Sequence, residues 1–179
     1  MAREGQKSAR ILLTGSPGCG KTTLVERLLA ELRIPVSGFI TKEIRESGHR
    51  TGFRIAGISG TEETLAHLNI DSGFRVGKYG VDVEAIDRVI ETEFAEPIAN
   101  LIVVDEIGKM ELLSERFISL IETLWESDKT ILATIMSAQQ PICDRLKNDS
   151  RSKVITLNHR NNKEVLGEIR NLCDLSLVI

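Results

Sequence analysis

The sequence predicts an α/β fold, a mostly parallel sheet with helices on both faces. Two observations carry that prediction. Short apolar runs bounded by turn residues alternate with stretches whose apolar residues recur three or four positions apart, the signatures of buried strands and amphipathic helices. A glycine-rich turn of the form G-x-x-x-x-G-K-T joins the first such run to the first such helix.

Taken in order, residues 1–9 read as a short polar tail, and Arg10–Thr14 (RILLT) as a strand. Leu24, Val25, Leu28, Leu29 and Leu32 mark a helix over residues 21–33, which Pro35 closes. Residues 36–44 and 51–59 read as two strands around the polar turn Glu46-Ser47-Gly48-His49, a β-hairpin inserted after the first helix. Residues 60–80 are glycine-rich and weakly patterned, and suggest a helical turn followed by short edge strands. Val83, Ile86, Ile90 and Phe94 mark a helix that ends before Pro97. Residues 101–104 form a continuous apolar run, the pattern of a strand covered on both faces. Phe117, Ile118, Ile121, Leu124 and Trp125 mark a helix capped by Ser114. Thr130–Ile135 reads as another buried strand, and Pro141 suits the first position of a short helix. Residues 153–157 close the sheet. Val165, Leu166, Ile169 and Leu172 define the last helix, with Asn161 and Glu164 spaced as a capping box.

The 179 residues, 41% hydrophobic and 27% charged, suit one domain over residues 1–179 and argue against wholesale disorder. No apolar run approaches the roughly 18 to 20 residues that span a bilayer. The charged start MAREGQKSAR has no apolar stretch before Ile11, so neither a signal peptide nor a membrane partner is expected. A net charge of −3 and 4% aromatic residues give no strong nucleic-acid signature. Cys19, Cys143 and Cys173 are widely spaced, and His49, His67 and His159 are scattered. That argues against zinc and disulfides, and for a reduced, cytoplasmic protein. A monomer is expected.

Gly15-Ser16-Pro17-Gly18-Cys19-Gly20-Lys21-Thr22 has the residue types that a phosphate loop requires. Glycines let the backbone wrap an anion with its N–H groups, and the following helix adds the positive end of its dipole. Lys21 reaches the β- and γ-phosphates, the Thr22 hydroxyl ligates Mg²⁺, and Thr23 is placed for the α-phosphate. Cys19 fills a variable position.

The run Leu101-Ile102-Val103-Val104 ends in Asp105-Glu106. Such a strand has no reason to end in two carboxylates except turn chemistry or a cation. Asp105 is expected to hold Mg²⁺ through a water, and Glu106 to orient or deprotonate a water aimed at the γ-phosphate. A glutamate directly after such an aspartate marks phosphate-loop hydrolases with an extra strand between the loop strand and the acidic strand. Thr130–Ile135 is expected there, which leaves Thr134 as either a γ-phosphate sensor or a plain strand residue. Arg45, Arg50 and Arg54 lie on or near the hairpin, and at least one is expected to face the nucleotide or an acceptor anion.

GSPGCGKTTL, VSGFITKEIRESGHRTGFRI and VVDEIGKMELLSERF together resemble the small nucleoside-triphosphatases of archaea and bacteria, whose vertebrate member is the cancer-related nucleoside-triphosphatase. The resemblance spans residues 10–172. It implies a three-layer P-loop NTPase fold with a RecA-like sheet, and slow Mg²⁺-dependent hydrolysis of ATP, GTP and other nucleoside triphosphates. Nucleotide kinase activity has also been attached to the family. By position it implies phosphate binding at residues 15–22 and a second nucleotide-proximal segment over residues 101–108, including Asp105, Glu106, Ile107 and Gly108, with Lys21 and Glu106 catalytic. Lys109 follows the family pattern, as a functional or a surface residue.

Relatives carry an arginine-bearing lid before the last strand, where this chain has Arg145, Lys147 and Arg151 as candidates to cover the γ-phosphate. They also carry a turn after that strand, here Asn158-His159-Arg160-Asn161, in which Arg160 is the candidate contact to the base. Three functions remain open: a hydrolase, a kinase using residues 38–54 as an acceptor pocket, and a nucleotide-gated interaction module.

Overall fold

The computed structural model describes residues 8–95 and 97–173, so residues 1–7 of the expected tail lie outside them. The chain runs β1 (Arg10–Thr14), α1 (Lys21–Glu31), β2 (Val36–Glu46), β3 (His49–Gly57), β4 (Glu62–His67), β5 (Arg75–Val76), β6 (Tyr79–Val81) and α2 (Val83–Glu93). It continues through β7 (Leu101–Ile107), a 3₁₀ turn (Glu111–Leu113), α3 (Glu115–Glu126), β8 (Thr130–Ile135), α4 (Pro141–Asn148), β9 (Ser152–Thr156) and α5 (Asn162–Leu172). No helix among the described residues is long and apolar enough to cross a membrane.

These strands form one sheet in the order β5-β6-β4-β3-β2-β7-β8-β1-β9. From β2 to β9 every neighbouring pair is parallel, and β8 separates β1 from β7 as expected. From β2 outward through β3, β4, β6 and β5 the pairing is antiparallel. Ser47 and Gly48 turn the hairpin with φ of 47° and 81°, the left-handed pair a two-residue connection requires.

Alternate residues of the parallel strands face two apolar layers. Leu12, Ile102, Val104, Ile131 and Ala133 join Phe117, Ile121 and Trp125 of α3 and Ile86 and Val89 of α2. Ile11, Leu13, Leu101, Val103 and Leu132 join Leu24, Val25 and Leu28 of α1 and Val165, Leu166 and Ile169 of α5. Burial of both faces explains the near-continuous apolar runs of these strands. Arg10 is buried beside them, with its guanidinium donating to the carbonyls of Trp125, Ser127 and Lys129.

The structure corrects two local expectations. The segment expected to hold a helical turn is the strand β4, because Leu65 and Ala66 are buried and the backbone pairs with β3. The capping box does not form. Asn161 donates to the Thr156 carbonyl at 2.9 Å and accepts from the Asn158 N–H at 2.8 Å, bracing the loop instead of the helix. Ser114 caps α3 as expected, accepting from the Phe117 N–H at 2.9 Å.

Candidate active site

The loop after β1 and the ends of β7 and β8 meet at the carboxyl edge of the parallel strands, where α/β sheets place their ligands. There they wall a cavity of about 770 Å³. A Cβ on Gly15 would lie 2.4 Å from the Leu157 carbonyl oxygen, so only glycine lets β1 enter the loop at this point. Gly20 is the N-cap of α1 and no side chain caps that helix, which leaves its first N–H groups free for an anion. Lys21 extends across the loop and donates to the Gly15 carbonyl at 3.2 Å.

Gly15, Pro17, Gly18, Gly20, Lys21, Thr22, Thr23, Asp105 and Glu106 all line the cavity. Cys19 is buried, Ser16 is exposed, and neither lines the cavity. Ile107 belongs to the core. Gly108 packs beneath Glu106, since a Cβ on it would stand 2.8 Å from Glu106 Oε1.

Asp105 is almost wholly buried. Its Oδ1 accepts from the Thr134 hydroxyl, which makes Thr134 a brace for this carboxylate, while its Oδ2 is buried without a hydrogen-bond partner. Burial raises the Asp105 pKa to about 6; the Thr134 and Thr22 hydroxyls pull it down, Glu106 pushes it up and Lys21 pulls it down. Burial also raises the pKa of Glu106, opposed by Lys21.

Sequence reasoning missed Glu111. It is buried, lines the same cavity, and accepts from the Thr41 hydroxyl of β2 at 3.0 Å. Burial, with smaller contributions from Glu106 and Asp105, lifts its pKa to about 8, against the hydrogen bonds it accepts. A carboxylate inside the apolar run from Met110 to Leu113 was the available signal.

Among the three hairpin arginines, Arg50 alone lines the cavity; Arg45 pairs with Glu43 and Arg54 with Glu62. The expected covering cations do not line it. Arg145 pairs with Glu122, and Lys147 donates to the Met136 carbonyl at 2.7 Å. Arg151 pairs with Asp149 and Glu126 before Ser152, whose partner on β1 is Arg10, at the end of the sheet opposite the loop. Arg160 is exposed and outside the cavity lining, although its loop begins at Leu157, whose N–H donates to the Thr14 carbonyl at 2.8 Å just before the phosphate loop.

The model of the NTPase family matches residues 10–170. A nucleoside-triphosphatase THEP1 of Thermotoga petrophila is 43% identical over 162 residues, 89% of this chain and 90% of its own length. That of Methanocaldococcus jannaschii is 37% identical over 167 residues, 90% and 95% of the two chains. The crystal structure of THEP1 from Aquifex aeolicus superposes with a TM-score of 0.82 at 31% identity, covering 92% of this chain and 99% of that one. The solution structure of a human cancer-related nucleoside triphosphatase gives a TM-score of 0.79 at 31% identity, covering 94% and 99%. With a matched family model over nearly its whole length and a P-loop NTPase fold, the chain belongs to the NTPase family.

Proposed function

We propose that this chain hydrolyses nucleoside triphosphates, ATP and GTP included, to the diphosphate and phosphate, slowly and with Mg²⁺. The observation that carries the reading is the placement of Asp105 and Glu106 in one cavity with the phosphate loop and Lys21. The Thr22 hydroxyl and the unpartnered, buried Oδ2 of Asp105 suit a hard cation that prefers oxygen. Bound there, Mg²⁺ supplies charge neutralisation on the β- and γ-phosphates.

The residues divide the rest of the work. The loop N–H groups and Lys21 hold the phosphates. Glu106 orients a water and takes its proton as the water oxygen bonds to the γ-phosphorus. The bond from that phosphorus to the β–γ bridging oxygen breaks, and its electron pair leaves with the diphosphate. A broad choice of base fits a lining that converges on phosphates, with Arg160 outside it. Slow turnover fits the engagement of Arg145 and Arg151 elsewhere. A cytoplasmic setting is supported by three buried, free cysteines.

The test is phosphate release from a panel of triphosphates with and without Mg²⁺. Glu106→Gln should keep triphosphate binding and lose roughly 10²- to 10⁴-fold in turnover, the usual weight of a positioned general base. Asp105→Asn should instead raise the Mg²⁺ concentration required. Near-normal turnover in Glu106→Gln would move the base elsewhere.

A second reading rests on the cavity continuing past Glu106 to Thr41, Glu43, Arg50 and Phe53 of the hairpin, which leaves room for a small phosphoryl acceptor in place of water. Triphosphate loss that exceeds phosphate release, with a phosphorylated product making up the difference, would favour it.

A further inference from the structure

As the γ-phosphoryl is transferred, negative charge grows on the bridging oxygen, and a cation besides the phosphate-loop lysine lowers the barrier by meeting charge on the transferring group. Four cations line the cavity: Lys21, Lys42, Arg50 and Lys109. Lys21 belongs to the loop. Lys42 is paired with Glu26 at 2.8 Å. Arg50 donates to Glu43 at 2.7 Å and to the Tyr79 hydroxyl at 3.2 Å, so its charge is already committed to the hairpin. Lys109 is exposed at the cavity's rim and, among the described residues, has neither an ion pair nor a hydrogen bond from its ammonium.

The backbone that carries Lys109 is fixed. The Gly108 carbonyl accepts from the Leu112 N–H at 3.0 Å, that of Met110 from Leu113 at 3.2 Å, and that of Glu111 from Ser114 at 3.1 Å. A Cβ on Gly108 would stand 2.8 Å from Glu106 Oε1, so the backbone there lies against the Glu106 side chain. The chain therefore folds back against the proposed general base one residue before Lys109. A long, rotatable side chain with three donors leaves a rigid turn beside the place where the charge develops.

We propose that Lys109 is a further catalytic residue, the cation that closes onto the γ-phosphoryl of a bound triphosphate in place of an arginine lid. The proposal rests on the hydrolytic reading. In the step, the water oxygen bonds to the γ-phosphorus, its proton goes to Glu106, and the bridging P–O bond breaks with its electron pair on the diphosphate. Lys109 stays protonated, and its hydrogen bonds to the γ-oxygens tighten as charge develops in the transition state.

Wild-type phosphate release tests the hydrolytic reading; the ratio of variant to wild type tests Lys109. Lys109→Ala should lower kcat by roughly 10²-fold, the weight of one preorganised donor to a developing charge. Its KM should change by less than about threefold, because the contact strengthens only in the transition state. Lys109→Arg should recover most of the rate. In calorimetry with Mg²⁺, Lys109→Ala should bind the diphosphate as wild type does but lose affinity for diphosphate with aluminium fluoride, a mimic of the transferring phosphoryl. A kcat within about threefold of wild type, or equal losses of affinity for diphosphate and mimic, would overturn the proposal.

Discussion

A carboxyl enclosed like that of Glu111 gives up its proton reluctantly, and that reluctance is measurable as stability. The folded chain holds the proton up to about pH 8, whereas the ordinary value is 4.5. Between those values the folded state binds more protons than the unfolded one, so stability falls as pH rises through the window. Glu111→Gln keeps an acceptor for Thr41 and has nothing to ionise. Urea midpoints for wild type should drop between pH 5 and 9, and those of the variant should stay nearly flat above pH 7. Equal slopes would mean that Glu111 ionises freely. The sequence made the local part of this site legible: the loop motif and Asp105-Glu106 at the end of an apolar run are contiguous patterns. Glu111 was not legible, because its burial depends on β2, which brings Thr41 from 70 residues away. The engagement of Arg145 and Arg151 was hidden for the same reason: their partners Glu122 and Glu126 lie on α3.

At the scale of elements, the pairing of β2 with β7 depends on Gly38, which stands opposite Val103 with φ of 133°. A Cβ there would lie 1.8 Å from the Val103 carbonyl oxygen, a backbone atom that cannot swing aside. Gly38→Ala should therefore cost about 3 kcal/mol through strain and a spread strand pair, seen as a lower urea midpoint with an unchanged m-value. An unchanged midpoint would show that the strands part without cost. Strands and helices with a strong period were readable residue by residue. The strand β4 was not, because its burial comes from α2 and its hydrogen bonds from β3. Asn161 had the spacing of a cap, but the N–H of Asn158 took the side-chain oxygen that a cap would use.

For the molecule as a whole, the cavity ties binding to stability. A non-hydrolysable triphosphate with Mg²⁺ at about 100 times its Kd should add about 2.7 kcal/mol. For a chain of 179 residues that is a rise in Tm of roughly 5–10 °C. A chelator should remove most of the gain, and no rise with either component would leave the cavity without its ligand. The order of the strands also sets when this cavity can exist. The strand that leads into the phosphate loop leaves the ribosome well before both of its neighbours, β8 and β9, which follow it only after α3. The hairpin and β4 can pair while synthesis continues, because their partners are adjacent. The loop must wait for Leu157 before the carbonyl that presses on Gly15 is in place. A nascent chain stalled after α3 thus carries a complete phosphate-loop sequence that lacks the flanking strands of its site, and the loop takes its final form only once β8, β9 and Leu157 have been made.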